Sequence, residues 1–315
     1  MKAFLRSRYV YALALLFVLG AVESVPAQTA LRLPRPSQKA TVSQTIGVTD
    51  MTIVYSRPGV KGRKIWGDAE TGAPATSATL DDGRARPKDA PVVPYGHVWR
   101  TGANEATTFE VTDDVLINGQ KLAAGKYSLH TIPGRDEWTV IFNKDDGQWG
   151  SFTYDEKKDA LRVKVKPQTA TEMQEWLSFD IPEVTPTAAR VNIRWERLRV
   201  PFTVEVPDVN AVALARMRTA VAAAKPDDWR TPLQAANYIF TNNLDAAEGT
   251  RLLEQSIRIK ETYGNVYAKA RLLAGQGKTQ EAIAAGERAL QLGKEAKADT
   301  SDLEKRLAEW KTKMR

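Results

Sequence analysis

The chain has 315 residues, 43% of them hydrophobic and 26% charged, with 45 Lys and Arg against 38 Asp and Glu, two His and no Cys. This length can bury a sizeable core and leaves room for two domains, in the composition range of ordinary soluble globular proteins. The absence of Cys excludes disulfides, thiol chemistry and a lipid-bearing Cys, and a formal charge of +7 is weak ground for a nucleic-acid partner.

The first residues read as a secretory signal. Lys2, Arg6 and Arg8 precede an apolar run from Tyr9 to Ala21, and Val25-Pro26-Ala27 supplies the small residues of a cleavage site. The run is short of the roughly 20 apolar residues that span a bilayer. Cleavage after Ala27 is expected, leaving a net charge of +5, no membrane span and a periplasmic or secreted location. Cys-free export fits a bacterial periplasm. Residues 28–44 read as a linker.

From residue 45 to 207 the hydrophobic period is two, that of half-buried strands. Met51, Ile53 and Tyr55 share a face; Leu161, Val163 and Val165 alternate with Arg162, Lys164 and Lys166; Val191, Ile193 and Trp195 are followed by Val200, Phe202, Val204 and Val206. Asn118-Gly119 and Pro133-Gly134 supply turns between the runs Phe109–Ile117, Lys126–Ile132 and Trp138–Asn143. Short strands with turns and no helical stretch predict an antiparallel β-sandwich or barrel. The stretch 68–91, rich in Ala, Gly, Pro, Thr and Asp, reads as one long loop.

After Pro207 the period becomes helical, and residues 208–315 read as an all-α tail. Six helices are expected, over Val209–Ala224, Trp229–Thr241, Leu244–Thr262, Val266–Gln276, Lys278–Ala298 and Ser301–Met314. A faint repeat at an offset of 33 sets Ala235 on Ala268, Ile239 on Leu272 and Glu248 on Glu281. The stretch AKARLLAGQGKTQEAIAAGERALQL resembles a tetratricopeptide repeat, in which stacked helix pairs leave a groove for a peptide or protein segment. A tail that only packs on the β-half is the other reading.

No motif set for catalysis emerges. His97 and His130 lie in separate segments without zinc-site spacing, and His130, on the opposite strand face from Tyr127 and Leu129, reads as a surface or satisfied residue. There is no nucleophile elbow, P-loop or dinucleotide fold, and neither metal nor cofactor is expected. What remains is a polar cluster in two segments, YSRPGVKGRKIWG and VWRTGANEATTF. Arg57, Arg63, Trp99, Arg100, Asn104 and Glu105 are its candidate ligand-binding residues. Guanidinium groups hold carboxylates through paired hydrogen bonds, so the set fits an internal ion pair tying a corner, or a site for a small or acidic ligand. Trp66, Trp99, Trp138 and Trp149 read as core, or as sugar-stacking faces if exposed.

These two segments, with VPYGHVWRTGANEATTFEVTDDVLINGQKLAAGKYSLHTIPGRDEWTVIFNK, resemble the bacterial family catalogued as domain of unknown function 2911, over roughly Thr45 to Val206. Its signature falls on Tyr55, Ser56, Arg57, Pro58, Gly62, Arg63, Trp66, Gly67, Trp99, Arg100, Gly102, Asn104, Glu105, Gly125, Tyr127, Pro133, Trp138 and Asn143. The resemblance implies an exported β-rich protein with a helical tail and implies no activity. The long 68–91 stretch departs from the family pattern. The expectation is an exported protein that acts by binding, with the β-half taking a small or acidic envelope ligand and the tail a protein partner. A hydrolase or lyase using Glu105 with Arg57 and Arg100, and a glycan-binding module, are the alternatives.

Overall fold

Alternation along the strands sorts the β-half into one apolar and one polar face, and the fold follows from hiding the first. The computed structural model describes residues 33–68, 87 and 89–313. The expected signal peptide with its cleavage after Ala27, residues 28–32 of the linker and most of the 68–91 loop lie outside the described residues. Of the unit Met1–Gln38, only residues 33–38 are described; Lys39–Arg315 form the second unit, which carries nearly all of the architecture.

Six strands form the first sheet, in the order β1 (Gln38–Ile46), β2 (Thr49–Arg57), β5 (Thr107–Val111), β8 (Gly125–Ile132), β9 (Trp138–Asn143) and β10 (Asp159–Val165). Four form the second: β11 (Gln168–Val184), β12 (Ala188–Glu205), β6 (Val115–Ile117) and β7 (Gln120–Leu122). The short β3 (Trp66–Gly67) and β4 (Val93–Pro94) pair in parallel. Both large sheets are antiparallel and open, so the sandwich form of the expectation is the one present. β1 begins inside the stretch read as a linker, with Ala40 and Val42 packed on the core.

The inner faces share one core. Ile53, Phe109 and Tyr127 pair across β2, β5 and β8, and Leu129, Phe142 and Leu161 form the neighbouring row across β8, β9 and β10. Phe202 of the second sheet meets Phe109 and Phe142 of the first, with centroids 6.3 and 6.1 Å apart. Trp66 lies edge-on to Trp99, Trp138 and Trp195 at 5.7, 5.0 and 5.6 Å, and Trp99 stacks on Trp195.

Two departures from simple alternation have local causes. The run Phe109–Ile117 is two strands in different sheets, because Thr112-Asp113-Asp114 cannot continue an apolar ladder. Asp113 instead accepts Thr49 Oγ1 at 2.9 Å and Arg216 Nη2 at 2.5 Å. In β12 the buried parity switches from Val191, Ile193 and Trp195 to Val200, Phe202 and Val204. Glu196, at φ 56, is the irregular residue that absorbs the extra position, where the pairing register with β11 also shifts.

The tail contains α1 (Val209–Ala223), α2 (Arg230–Thr241), α3 (Ala246–Ile259), α4 (Tyr263–Gly275), α5 (Thr279–Glu295) and α6 (Ser301–Lys313). Small residues let these helices close up. A side chain at Gly249 would meet Ile239 and Phe240, and one at Gly286 would meet Leu307. Asp208 caps α1 through Ala211 N, and Thr262 with Asn265 forms a capping box at α4. α1 rests on the β-half through Val209 and Val212. No helix among the described residues is long and apolar enough to cross a membrane.

Candidate functional site

The outer face of the first sheet carries a polar row. Val54, Thr108, Ser128, Asn143 and Asp159 stand opposite one another across five strands, flanked by the rows Thr52–Glu110–Lys126 and His130–Ile141–Arg162. A sheet face this polar is usually left to solvent. Here one end of it is roofed by residues 144–158.

The ends of that loop are pinned: Lys144 N donates to Lys158 O at 2.9 Å, and Lys158 Nζ lies 2.8 Å from Asp145 Oδ2. Its middle is stitched to the stretch VWRTGANEATTF. Gly150 N donates to Asn104 O at 3.0 Å, Ala106 N donates to Gln148 O at 2.9 Å, and Glu105 bridges Trp149.

The stretch itself is a strained, heavily bonded corner. Thr101 and Asn104 hold φ of 53° and 60°, the first unusual for a β-branched residue. Trp99 exchanges main-chain bonds with Thr131 at 2.8 and 2.9 Å and donates Nε1 to Gly102 O at 3.1 Å. Thr107 Oγ1 donates to Thr101 O at 2.7 Å, and Arg100 Nη1 donates to Asn104 O at 2.8 Å. A Cβ at Gly102 would stand 3.1 Å from both Ser56 O and Thr107 Oγ1, so a side chain here would press the corner away from β2 by a few tenths of an ångström.

Between the corner, the loop and β2 runs a groove of about 340 Å³. Glu105, Glu110, Asp146, Lys39 and Lys126 line it, with Lys126 Nζ 3.1 Å from Asp146. Gln148 also lines it although only 4% exposed; its Nε2 donates to Asp145 O at 3.0 Å, and its Oε1 accepts nothing. Trp149, 54% exposed, stands beside Glu105 across the bridge.

Beneath the loop lies His130, with no exposed surface and its ring 5.1 Å from that of Tyr154. The Gly150 main chain is near enough to act on the ring, yet neither imidazole nitrogen reaches hydrogen-bond geometry with any group. Burial lowers its pKa to about 4 and outweighs the opposing pull of Asp159 and Asp145, so the ring is neutral near pH 7. Tyr154 donates to Asp159 Oδ2 at 2.8 Å, and Arg162 donates Nε to the same oxygen at 2.6 Å. Burial, with Asp159 alongside, raises the pKa of the Tyr154 phenol above its ordinary range.

The sequence-derived residues divide by strand parity. Ser56 faces outward and accepts Asn104 Nδ2 at 3.3 Å, bringing the two segments into contact. Arg57, next in the chain, donates Nε to Leu177 O of the second sheet at 2.8 Å. Arg63 donates to Val60 O and Gly59 O of its own turn, at 3.2 and 2.6 Å. Arg100, Asn104 and Glu105 therefore belong to the corner under the loop, whereas Arg57 and Arg63 secure main chain elsewhere. Trp99 and Trp138 are core, and the partly buried Trp66 packs against them. His97 is buried, and among the described residues no three His, Asp or Glu side chains gather as a metal-binding set. Sequence reasoning passed over Gln148, Ser128 and the loop, and read His130 as a surface or satisfied residue, which its unpartnered burial corrects.

Residues 37–204 match the model of the family described as Protein of unknown function (DUF2911). The chain belongs to that family. The match spans both sheets and ends within β12, so the corner, groove and loop lie within the matched residues and the helices lie outside them. No curated protein and no solved structure matches the chain.

The tail holds a second concavity, about 460 Å³, between α1, α2 and α3. Its floor is Leu214, Met217, Val221, Ile239 and Leu252, and at its rim Arg218 grips Glu248 through Nε and Nη2 at 2.9 and 2.6 Å. That contact lowers the Glu248 pKa.

Proposed function

We propose that this protein is an exported bacterial binding protein whose DUF2911 domain takes a small, neutral, hydroxyl-rich ligand of the saccharide type in the groove beside Glu105. The observation that carries this is the buried Gln148 Oε1, an acceptor without a partner, in a groove of carboxylates whose Glu105 is bridged through the main chain to the half-exposed Trp149. Carboxylate and amide oxygens accept from sugar hydroxyls, and an indole face covers the apolar face of a sugar ring. An acidic ligand fits less well, since three carboxylates face two ammonium groups there. Export rests on the signal-like first 27 residues. The tetratricopeptide-like tail supplies a separate apolar groove for a protein segment.

The test is calorimetric titration of neutral and acidic oligosaccharides into the wild type, Trp149→Ala and Glu105→Gln. Binding of neutral sugars that weakens by about tenfold without the indole is expected, the usual size of one lost aromatic contact. Unchanged affinity in Trp149→Ala, or a preference for acidic sugars, contradicts the reading.

The hydrolase reading keeps one support: Glu105 lines an open groove with two further carboxylates, the residue pattern of acid–base hydrolysis. It loses Arg57, whose Nε is given to Leu177 O. Release of sugar during the same titrations, abolished in Glu105→Gln, would favour it.

A further inference from the structure

One wall of the groove is not part of the sheet. Asp146, Gly147 and Gln148 belong to the loop 144–158, and so does Trp149. The loop closes over a buried imidazole whose two nitrogens have no hydrogen-bond partner. Most buried polar atoms in proteins are paired, and leaving one unpaired costs about 1–3 kcal/mol. The closed loop therefore rests on a group that opposes closure, and whether it stays closed depends on that group's charge.

We propose that His130 is a proton-operated latch: the loop 144–158 seals over the neutral ring at neutral pH, and protonation of the ring lifts the loop and dismantles the groove. The consequence for ligand rests on the binding function proposed above; the opening itself does not.

The groups facing the ring set the sign. Asp159 on β10, then the Gly150 main chain and Asp145 on the loop, favour a positive imidazole, while Arg100, on the corner, opposes one. Both carboxylates already hold cations, Arg162 on Asp159 at 2.6 Å and Lys158 on Asp145 at 2.8 Å. Tyr154 packs against the ring, donates its hydroxyl hydrogen to Asp159 and accepts from Arg162 Nη2 at 2.8 Å, so its hydroxyl is engaged away from His130. Burial is the largest influence, and it holds the closed-state pKa near 4 against an ordinary 6.5. In the open state the ring meets water and returns toward the ordinary value, so the open state binds more protons through this interval. Closure is complete above pH 6.5 and weakens as pH falls from 6.5 toward 4. Linkage over these two values makes the open-to-closed ratio about 30-fold larger at pH 5 than at pH 7.5.

A chain without Cys allows a direct assay. Ser151 is a fully buried residue of the loop itself, and Phe152, beside it, is 57% exposed. The rate at which 4,4′-dithiodipyridine labels Ser151→Cys, divided by the rate for Phe152→Cys in the same buffer, reports opening with the thiol chemistry cancelled. The ratio is expected to rise about 30-fold from pH 7.5 to pH 5 and to stay flat when His130→Gln is added. A flat ratio in the presence of His130 overturns the latch, as does an equal rise in His130→Gln, which would place the effect on the carboxylates. If Ser151→Cys does not fold, amide exchange of residues 150–154 in the unaltered protein reads the same opening. The imidazole ¹⁵N titration of the two His then gives the second reading, and a His130 ring titrating at its ordinary value overturns the proposal. Loop opening in a protein that binds no neutral oligosaccharide at pH 7.5 would overturn the groove function and leave the latch standing.

Discussion

Arg57 and Arg100 belong to two neighbouring segments of similar composition, and the structure gives them opposite duties. Arg57 sits on β2 with its guanidinium turned to the second sheet, where it supplies a donor to Leu177 O. Arg100 stands on the corner over the outer face of the first sheet and binds Asn104 O, directly beneath the loop that walls the groove. One residue of strand parity separates seam from site, as Ser56 and Arg57 show side by side. Charged residues clustered in sequence are therefore not a site until their faces are assigned.

That contrast can be broken at its foundation first. Trp99 anchors the corner from the inner side, 2% exposed and stacked on Trp195 at 5.7 Å. Trp99→Ala should remove about 3–5 kcal/mol of stability in denaturant titration, the cost of deleting a large buried ring. A loss below about 1 kcal/mol would mean the corner is held by its hydrogen bonds alone. A smaller effect sharpens the division between seam and site. Arg57→Met leaves Leu177 O without its donor and should cost about 1–3 kcal/mol while leaving neutral-sugar affinity at pH 7.5 unchanged. Lost affinity in a folded Arg57→Met would return this arginine to the ligand site.

Much of the architecture was legible in the sequence. The six helices fall within a few residues of their periodic stretches, since Asp208, Asp245 and Thr262 mark their starts and Asn242 and Gln276 their ends. Asn118-Gly119 closes the β6–β7 hairpin with both residues at positive φ, as its turn chemistry requires. The parity switch in β12 is visible in the sequence, but the residue that absorbs it is not, because Glu196 has no special preference for positive φ.

The site was legible only in part. The stretch VWRTGANEATTF stood out by composition, and its contact with β2 runs through Ser56, a neighbour of the predicted Arg57. The other wall was not readable. Asp145-Asp146-Gly147-Gln148 has the composition of any exposed turn, and nothing local says that it folds back on residues 104–106. The same limit hid His130. Alternation tells which face a strand residue occupies, but not whether another segment covers that face.

We propose the groove between the corner and the loop as the place where this protein meets its ligand. Amide chemical-shift mapping of a neutral oligosaccharide on ¹⁵N-labelled protein at pH 7.5 tests it most directly. Shifts are expected at residues 104–106 and 146–150, with the helices silent. Shifts confined to α1, α2 and α3 around Leu214 and Leu252, or none at millimolar sugar, would contradict it.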